Sequence, residues 1–415
     1  MREGYKNTEV GVIPEDWEVK KLEEIATIIM GQSPSSDSYN ESRDGLPFFQ
    51  GNSEFGRMFP TVKKWCNEPL KIAKPLDILI SVRAPVGAVN INIEESCIGR
   101  GLGAVRSHQN IDYRYLYYTL IESEKVLNSS AQGSTFTAIN SGDLKNLKIK
   151  VPKLKEQEKI AEILSTVDSQ IDNTENLIEK SKELKKGLMQ KLLTKGIGHS
   201  EFKKTAVGDI PVDWQIEKIA NVTNLIKSGL SRKLSDENIG IPCLRSNNIK
   251  ESKLTLVDLK YWYLIDNKGA NLNDYILDSG DIIMNFINSP SQIGKGCIFN
   301  KENLDCIYST NLLRIKLDEE KMLTKFFYYY TQTERYKKEI MLITKPAVNQ
   351  ASFTTTEFKE IKFPVPTIKE QNRIVDILSS VDKKIDEYEN KKQKLEDVKK
   401  GLMQQLLTGK IRITI

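Results

Sequence analysis

The sequence VPKLKEQEKIAEILSTVDSQIDNTENLIEKSKELKKGLMQKLLTKGI fills residues 151–197, and VPTIKEQNRIVDILSSVDKKIDEYENKKQKLEDVKKGLMQQLLTGKI fills residues 365–411. Aligned without a gap, the two stretches are identical at 26 of 47 positions. A shorter pair opens each half of the chain, because VGVIPEDWEVKKLEEI (10–25) matches VGDIPVDWQIEKIANV (207–222) at 7 of 16 positions. The 415-residue chain therefore contains two copies of one domain, and the segments between the matched ends have diverged.

Each of the two long repeats predicts one long helix. Apolar residues recur at three- and four-residue steps, no proline interrupts them, and Gly196 and Gly409 mark the carboxyl ends. Forty helical residues span about 60 Å, and the narrow apolar stripe is typical of a two-helix coiled coil. The residues predicted to pair the helices are Leu164, Val167, Ile171, Ile178, Leu188, Leu192, Leu378, Val381, Ile385, Leu395, Leu402 and Leu406.

The charges of the first helix favour an antiparallel pair over two separate surface helices. Residues 155–179 contain seven acids and two lysines, whereas residues 180–195 contain one acid and six lysines. The second helix follows the same trend. In an antiparallel pair the acidic half of one helix therefore faces the basic half of the other.

The fold class that follows is α+β, with two similar globular domains separated by the paired helices. We place the boundaries at 1–152 for the first domain, 153–197 for the central helix, 198–366 for the second domain and 367–415 for the last helix. β-branched runs such as 78–82, 86–93 and 281–284 predict strands, and the aromatic-rich stretches 113–120 and 326–330 predict helices whose tyrosines belong to the core. Trp17 and Trp214 are expected to anchor the start of each domain. Thr367 and Glu370 suggest a capping box for the last helix.

The composition of the chain and the motifs missing from its sequence narrow the classes of function open to it. Five scattered cysteines predict buried reduced thiols, and the net charge of +5 permits a polyanionic partner. No apolar run is long enough to span a membrane and the amino terminus does not look like a signal peptide, so we expect a cytoplasmic protein. The sequence contains no phosphate-binding loop, amino-methyltransferase motif or dinucleotide-binding loop, which predicts a chain without catalytic residues and without a metal or cofactor of its own.

Four groups of motifs together resemble the specificity (S) subunit of Type I restriction–modification systems, over essentially the whole chain. They are the IPxDW openings (13–17 and 210–214), the VPxxxEQ helix starts (151–157 and 365–371), the KKGLMQxLLT helix ends (185–194 and 399–408) and the RAPVG loop (83–87). The second copy departs from the pattern at this last loop, where it reads Asn288-Ser289-Pro290.

The resemblance implies a non-catalytic subunit with two target-recognition domains, each of which reads one half of a split, asymmetric sequence in double-stranded DNA. It also implies that the long helices hold the domains apart and dock two methyltransferase (M) subunits. Those subunits would bring S-adenosylmethionine and methylate adenine at N6. Two R subunits, which use ATP and Mg²⁺, are possible further partners.

Reading of bases needs hydrogen-bonding side chains on loops beside the strands. In the first domain the predicted DNA-binding residues are Ser33, Ser35, Gln50, Asn52, Arg83 and Ser134. In the second domain they are Ser231, Arg232, Lys233, Arg245, Asn247, Asn248, Asn288, Gln292 and Lys295. Each could instead be a turn residue or a phosphate contact. The modest charge also leaves open a coiled-coil adaptor that joins two protein-binding modules.

Overall fold

A computed structural model describes residues 3–131, 138–300, 304–347 and 350–413. The chain divides into two compact units, one made of Met1–Asn176 with Tyr388–Ile415 and the other of Leu177–Glu387. Each unit contains one globular domain and one part of each long helix. The predicted α+β class is confirmed. In the described residues no helix is both long and apolar enough to cross a membrane.

The first domain is built around a four-stranded sheet and a five-stranded sheet. Its strands are β1 (Tyr5–Thr8), β2 (Gly11–Pro14), β3 (Glu18–Lys21), β4 (Ala26–Met30), β5 (Tyr39–Asn40), β6 (Leu46–Phe49), β7 (Lys64–Cys66), β8 (Ile72–Ala73), β9 (Ile78–Ser81), β10 (Val89–Ile91), β11 (Ser96–Ile98), β12 (Leu102–Ser107) and β13 (Lys148–Val151). Its helices are α1 (Leu22–Ile25), α2 (Tyr113–Glu122), α3 (Glu124–Ala131) and α4 (Ser141–Lys145). The sheet orders are β10-β9-β12-β4 and β5-β7-β6-β11-β8.

Strand β9 shows why a continuous apolar run forms the centre of this domain. Ile78 and Ile80 lie in the core cluster that also holds α2, whereas Leu79 points to the cluster that contains residues of the five-stranded sheet. All three side chains are fully buried, because both faces of the strand are covered. The tyrosines of α2 that were predicted to be core residues are buried with them: Tyr115, Tyr117 and Tyr118.

The second domain repeats this scaffold. Its strands are β14 (Phe202–Thr205), β15 (Gly208–Pro211), β16 (Gln215–Lys218), β17 (Thr223–Ser228), β18 (Ile241–Leu244), β19 (Ile249–Lys250), β20 (Lys253–Leu254), β21 (Lys260–Trp262), β22 (Ile282–Asn285), β23 (Ile287–Asn288), β24 (Gly296–Ile298), β25 (Ile307–Tyr308), β26 (Leu312–Leu317), β27 (Lys345–Ala347), β28 (Gln350–Ser352) and β29 (Lys362–Val365). Its helices are α6 (Thr324–Tyr330), α7 (Glu334–Ile343) and α8 (Thr355–Glu360). The order β17-β26-β22-β24 matches that of the first domain's four-stranded sheet, and β21-β18-β25 matches β7-β6-β11.

The two long helices, α5 (Leu154–Lys195) and α9 (Ile368–Leu406), form where the repeats predicted them. In the first unit, Asp168 and Glu175 of α5 pair with Lys399 and Lys392 of α9, each at 2.7 Å. A step of seven residues forward along α5 is thus matched by seven residues backward along α9, so the helices run antiparallel. In the second unit Lys185 of α5 pairs with Asp382 of α9 at 2.6 Å. The predicted meeting of acidic and basic halves is confirmed.

The ends of the long helices also belong to the domain cores. All twelve predicted pairing residues are buried or half-buried. However, Leu164, Leu402 and Leu406 lie in the core cluster of the first domain, and Leu188, Leu192 and Leu378 lie in that of the second. Leu184 and Val398, which continue the apolar periodicity in the sequence, are instead about half exposed, at 56% and 50%. The helices are therefore structural parts of each domain as well as of a coiled coil.

Candidate nucleic-acid interface

Two of the repeated motifs, IPxDW and VPxxxEQ, contact each other at the start of each domain. The indole Nε1 of Trp17 donates to Glu156 Oε2 at 3.1 Å, and Trp214 donates to Glu370 in the same way at 2.9 Å. The glutamine that follows each glutamate accepts a backbone hydrogen bond at a helix start. Gln157 accepts from the N–H of Asp112, which precedes α2, and Gln371 accepts from the N–H of Leu323, which precedes α6. The predicted anchoring role of both tryptophans is confirmed, and these motifs are structural.

The capping box predicted at Thr367 and Glu370 is wrong in its main bond. The Glu370 carboxylate accepts from Trp214, from the backbone N–H of Ile197 and is 2.9 Å from His199 Nε2. Only a long 3.4 Å bond joins the Glu370 N–H to the Thr367 hydroxyl. The Glu370 carboxylate bonds to Trp214 instead of capping its own helix, because a buried indole N–H stabilises it more than an exposed helix end does.

A three-residue contact, buried in the first unit and half-buried in the second, ties each domain to the long helices. In the first unit the Tyr118 hydroxyl donates to Asp168 at 2.7 Å, and Lys399 Nζ lies 2.7 Å from the same carboxylate and above the tyrosine ring. Asp168 is fully buried, and the burial of the Tyr118 hydroxyl itself, followed by the charge of the Asp168 carboxylate, raises the pKa of Tyr118 far above its usual range. Tyr329, Asp382 and Lys185 form the equivalent contact in the second unit. We call each set a clamp.

In each domain, a second attachment to a long helix lies just beyond some of the predicted DNA-binding residues. In the first domain Arg57 pairs with Asp172 at 3.3 Å and with Glu175 at 3.0 Å, both on α5. Its backbone carbonyl accepts from the Tyr117 hydroxyl. In the second domain Lys253 pairs with Asp386 of α9 at 2.9 Å, and the carbonyl of the preceding residue accepts from Tyr328. Each of these segments is thus fixed directly to one of the long helices.

In the first domain the structure brings part of the predicted DNA-binding set together. Ser33 and Gln50 exchange hydrogen bonds, and Asn52 begins a short 3₁₀ turn just beyond them. The backbone N–H of Arg100 also donates to the Ser33 hydroxyl, which places this exposed arginine beside them. Sequence reasoning missed Arg100, although its glycine neighbours on both sides were a signal for a close backbone approach.

Of the other predicted residues of the first domain, Arg83 follows Val82, whose backbone N–H donates to the carbonyl of Gly101 beside Arg100. Ser35 is exposed at the start of a 3₁₀ turn. Arg83 is exposed and its backbone pairs with Ala138. Ser134 lies outside the described residues.

In the second domain two acids, one before and one after strand β21, bond to two of the predicted groups. Asp258 accepts hydrogen bonds from Arg245 and Asn247, and Asp266 forms a two-point ion pair with Arg232 at 2.8 and 2.6 Å. The Arg232 guanidinium, with the N–H groups of Ala270 and Trp262, holds the pKa of Asp266 well below its usual range. Ser231 and Lys233, on either side of Arg232, are exposed.

Asn248 differs from its neighbours. It is completely buried and its amide donates to the carbonyls of Thr255 and Val257. This geometry is that of a residue that shapes the loop, so we move Asn248 from the DNA-contacting set to the loop-positioning set.

The last predicted group forms a separate loop. Asn288 donates to Asn285, and Gln292 lies 3.4 Å from Lys295 Nζ. All three predicted side chains, those of Asn288, Gln292 and Lys295, are half-buried. The loop is closed by backbone bonds between Asn285 and the Gly294–Lys295 turn, which holds these polar groups in one place.

Comparison with known proteins identifies the repeated domain. The family model described as the Type I restriction modification DNA specificity domain matches residues 14–183 and again residues 211–397. The Type I restriction enzyme MjaVIII specificity subunit of Methanocaldococcus jannaschii is 29% identical over 99% of this chain and 96% of its own length. The EcoKI specificity subunit of Escherichia coli K12 is 22% identical over 88% of this chain and 82% of its own length.

Solved structures share the fold. The S subunit of a Type I restriction–modification system from M. genitalium has a TM-score of 0.59 at 18% identity, and the match covers 94% of this chain and 96% of that one. A chain from work on the complex assembly and conformational transition of the type I R-M system has a TM-score of 0.56 at 16% identity, covering 96% and 99%. With both of its domains matched by the family model, the chain belongs to the family of Type I restriction–modification DNA specificity subunits.

Proposed function

We propose that this chain is the non-catalytic subunit that selects the DNA target of a Type I complex, with each domain reading one half of a bipartite asymmetric sequence. The observation that carries this proposal is the contrast between scaffold and loops. Both domains keep the same sheet order, tryptophan anchor and clamp. Their loops differ: the first domain brings Ser33, Gln50 and Arg100 together, and the second pairs Arg232 with Asp266 and Arg245 with Asp258. Two domains that share a scaffold but differ in their loops are suited to reading two different half-sites.

The residues proposed to contact DNA are those whose side chains remain accessible. Exposed or half-buried members of the predicted set carry amides, hydroxyls or cations, the groups that bind base edges and phosphates. They are Ser33, Ser35, Gln50, Asn52, Arg83, Ser231, Arg232, Lys233, Arg245, Asn247, Asn288, Gln292 and Lys295, to which the structure adds Arg100. Since phosphate contacts release counterions, binding should weaken steeply as salt rises.

We further propose that the long helices set the gap between the half-sites and dock two methyltransferase subunits. Two equivalent features support two docking sites for one partner. Leu184 of α5 and Val398 of α9 are exposed apolar residues at matching positions. Gly187 and Gly401, three residues further on, are open sites, since an added Cβ would meet no described atom within 4 Å. A second chain could approach the helix backbone closely there.

In this proposal the chemistry belongs to the partners, in the cytoplasm. The methyltransferase subunits bind S-adenosylmethionine and methylate adenine at N6, and two R subunits, where they join, use ATP and Mg²⁺. This chain supplies the choice of sequence and contributes no catalytic group or cofactor.

The test is a methylation map. The chain is expressed with its neighbouring methyltransferase in a host that lacks adenine methylation, and N6-methyladenine is mapped across the genome. We expect a single split motif with unequal halves and a fixed gap, which disappears when this chain is omitted. Exchange of one domain for that of a relative should replace one half only. A soluble complex that methylates at no defined motif would contradict the proposal.

A further inference from the structure

The second domain carries an exposed apolar tip that its core does not explain. Tyr263, Leu264 and Ile265 follow strand β21 and are exposed at 50%, 72% and 84%. Trp262 before them and Asp266 after them are buried. Three consecutive exposed apolar side chains between buried neighbours indicate a surface kept for contact with another molecule. We refer to residues 263–265 as the tip.

The tip is held rigidly at its base. Asp266 accepts two bonds from Arg232, one from the Trp262 indole and one from the Ala270 N–H. Trp262 packs in a core cluster with Leu230 and Ile241. Because both ends are fixed, the tip would lose little conformational freedom when it binds, which favours a specific contact over a loose one.

The surroundings of the tip suit DNA. Exposed Lys233 follows the arginine that grips Asp266, and exposed Lys268 lies two residues beyond Asp266. Of the nearby acids, Asp236 pairs with Lys260 and Asp258 pairs with Arg245, whereas Glu237 is exposed. An apolar point flanked by exposed lysines matches the floor of a DNA groove, which phosphates border on both sides. A protein surface would more often demand acids or further apolar area around the point.

In the corresponding segment of the first domain, residues 67–76, Leu70, Ile72 and Leu76 are also exposed, but no three consecutive apolar residues are. Strand β7 of the first domain matches β21, and residues 67–76 lead from it to Asp77, which pairs with Arg106 of β12. After β21 the second domain needs residues 263–280 to reach the corresponding Asp281, which pairs with Arg314 of β26. The tip therefore stands in a longer segment that distinguishes one reading domain from the other.

We propose that Leu264 and Ile265 contact the 5-methyl group of thymine in the half-site read by the second domain. This inference rests on the proposed function. In the major groove thymine alone presents a methyl group, so apolar side chains discriminate it from the other bases. The tip would thus recognise a base by apolar contact, which the polar side chains proposed to contact DNA cannot provide.

The probe is a duplex that carries the mapped target, with each thymine of the second half replaced in turn by deoxyuridine, which removes only the methyl group. The complex of the full chain with its methyltransferase should bind one such duplex about fourfold more weakly, the worth of one buried methyl group. The variant L264S/I265S should bind the thymine and uracil duplexes equally. Its methylation map should lose preference for thymine at that position and keep the first half. Leu342→Ser, at an 80% exposed apolar residue of the same domain, is the matched control and should behave as wild type.

Three results would overturn the tip contact while the split motif stands. They are a second half-site without thymine, a wild-type complex indifferent to uracil at every position, and an L264S/I265S variant that loses its methyltransferase but still binds DNA normally. The wild-type uracil series needs no variant, so it decides the question even if the substitution harms folding. A wild-type chain that directs no split motif would remove the proposed function itself, and the tip contact with it.

Discussion

An aspartate at the border between domain and helix, fully buried in the first unit and about one-third exposed in the second, is the most telling single-residue feature. Asp168 and Asp382 each lie among a tyrosine hydroxyl and a lysine, at matching positions in the two units. Burying an ion pair gains little net stability, but leaving one partner unpaired is costly. Such pairs therefore serve to select one arrangement of helix and domain over its neighbours.

Asp168→Asn should destabilise the protein by about 3 kcal/mol, because it leaves the Lys399 cation mostly buried without a carboxylate. The measurement is urea unfolding of the full chain. The double variant D168N/K399M should recover much of the loss, since it removes the unpaired charge. Glu162→Gln, on the exposed side of the same helix beside Lys159, should leave the urea midpoint unchanged. A midpoint for D168N equal to that of wild type would show that the clamp is not needed.

Arg57 and Lys253 allow a test that carries its own control. Arg57→Met should weaken base preference in the first half of the methylated motif only, because the loop beyond Asn52 loses its hold on α5. Lys253→Met should affect the second half only, and less, because both partners in its ion pair are exposed. Arg57→Lys should retain part of the preference. A uniform fall in methylation with an unchanged motif would point to lost stability instead of lost positioning.

At the scale of elements, the helix α8 offers a pH-dependent cap. Thr354 and Glu357 form a capping box, and Lys345 pairs with the same carboxylate. The hydrogen bond from the Thr354 hydroxyl, followed by the bond from Lys345, lowers the pKa of Glu357 to about 2 from its usual 4.5. A carboxylate with a lowered pKa stabilises the fold above its unfolded pKa, and this contribution is lost as the pH falls through the folded value.

Glu357→Gln should therefore lower the thermal midpoint at pH 7, and the difference from wild type should shrink below about pH 4.5 and vanish near pH 2. Thermal unfolding followed by circular dichroism at a series of pH values measures this difference. Glu320→Gln, at an exposed glutamate of the same domain, serves as the control and should show no such trend. A difference that is constant with pH would mean that Glu357 acts through packing and not through its charge.

The elements that could be predicted from the sequence are those in which the spacing of apolar residues repeats over many residues. The periodicity of forty residues predicted the start of both long helices to within one residue and the end of α5 to within two, whereas α9 ends three residues before Gly409, and the charges predicted the antiparallel pairing. The strand expected over 86–93 proved to be only Val89–Ile91, because short runs carry too little pattern to mark their ends. Glu370 and Asn248 were misassigned for a related reason. Their roles depend on tertiary partners, Trp214 and the Thr255 carbonyl, that no local spacing reveals.

At the scale of the whole molecule, the paired helices are proposed to act as a ruler. Insertion of seven residues between Asn176 and Leu177 and of seven between Glu387 and Tyr388 keeps the contacts within each unit intact. We expect the methylated motif to keep both halves while its gap grows by about three base pairs, since seven helical residues add about 10 Å. The same insertion in one helix alone should abolish methylation, because the pairing partners no longer match. A double insertion that leaves the gap unchanged would refute the ruler.

The first unit is assembled from both ends of the chain, and this affects how the protein is made. Met403, Leu406 and Leu407 belong to the first domain's core, and Arg412 grips Asp16 and Glu156. The second unit is a continuous stretch that leaves the ribosome before those residues do. At about 5–20 residues per second, the first domain waits roughly 10 to 45 seconds for its last helix. Synthesis thus reverses the usual order: the domain that begins first is completed last, and a message cut short near its end yields a chain with only its second unit whole.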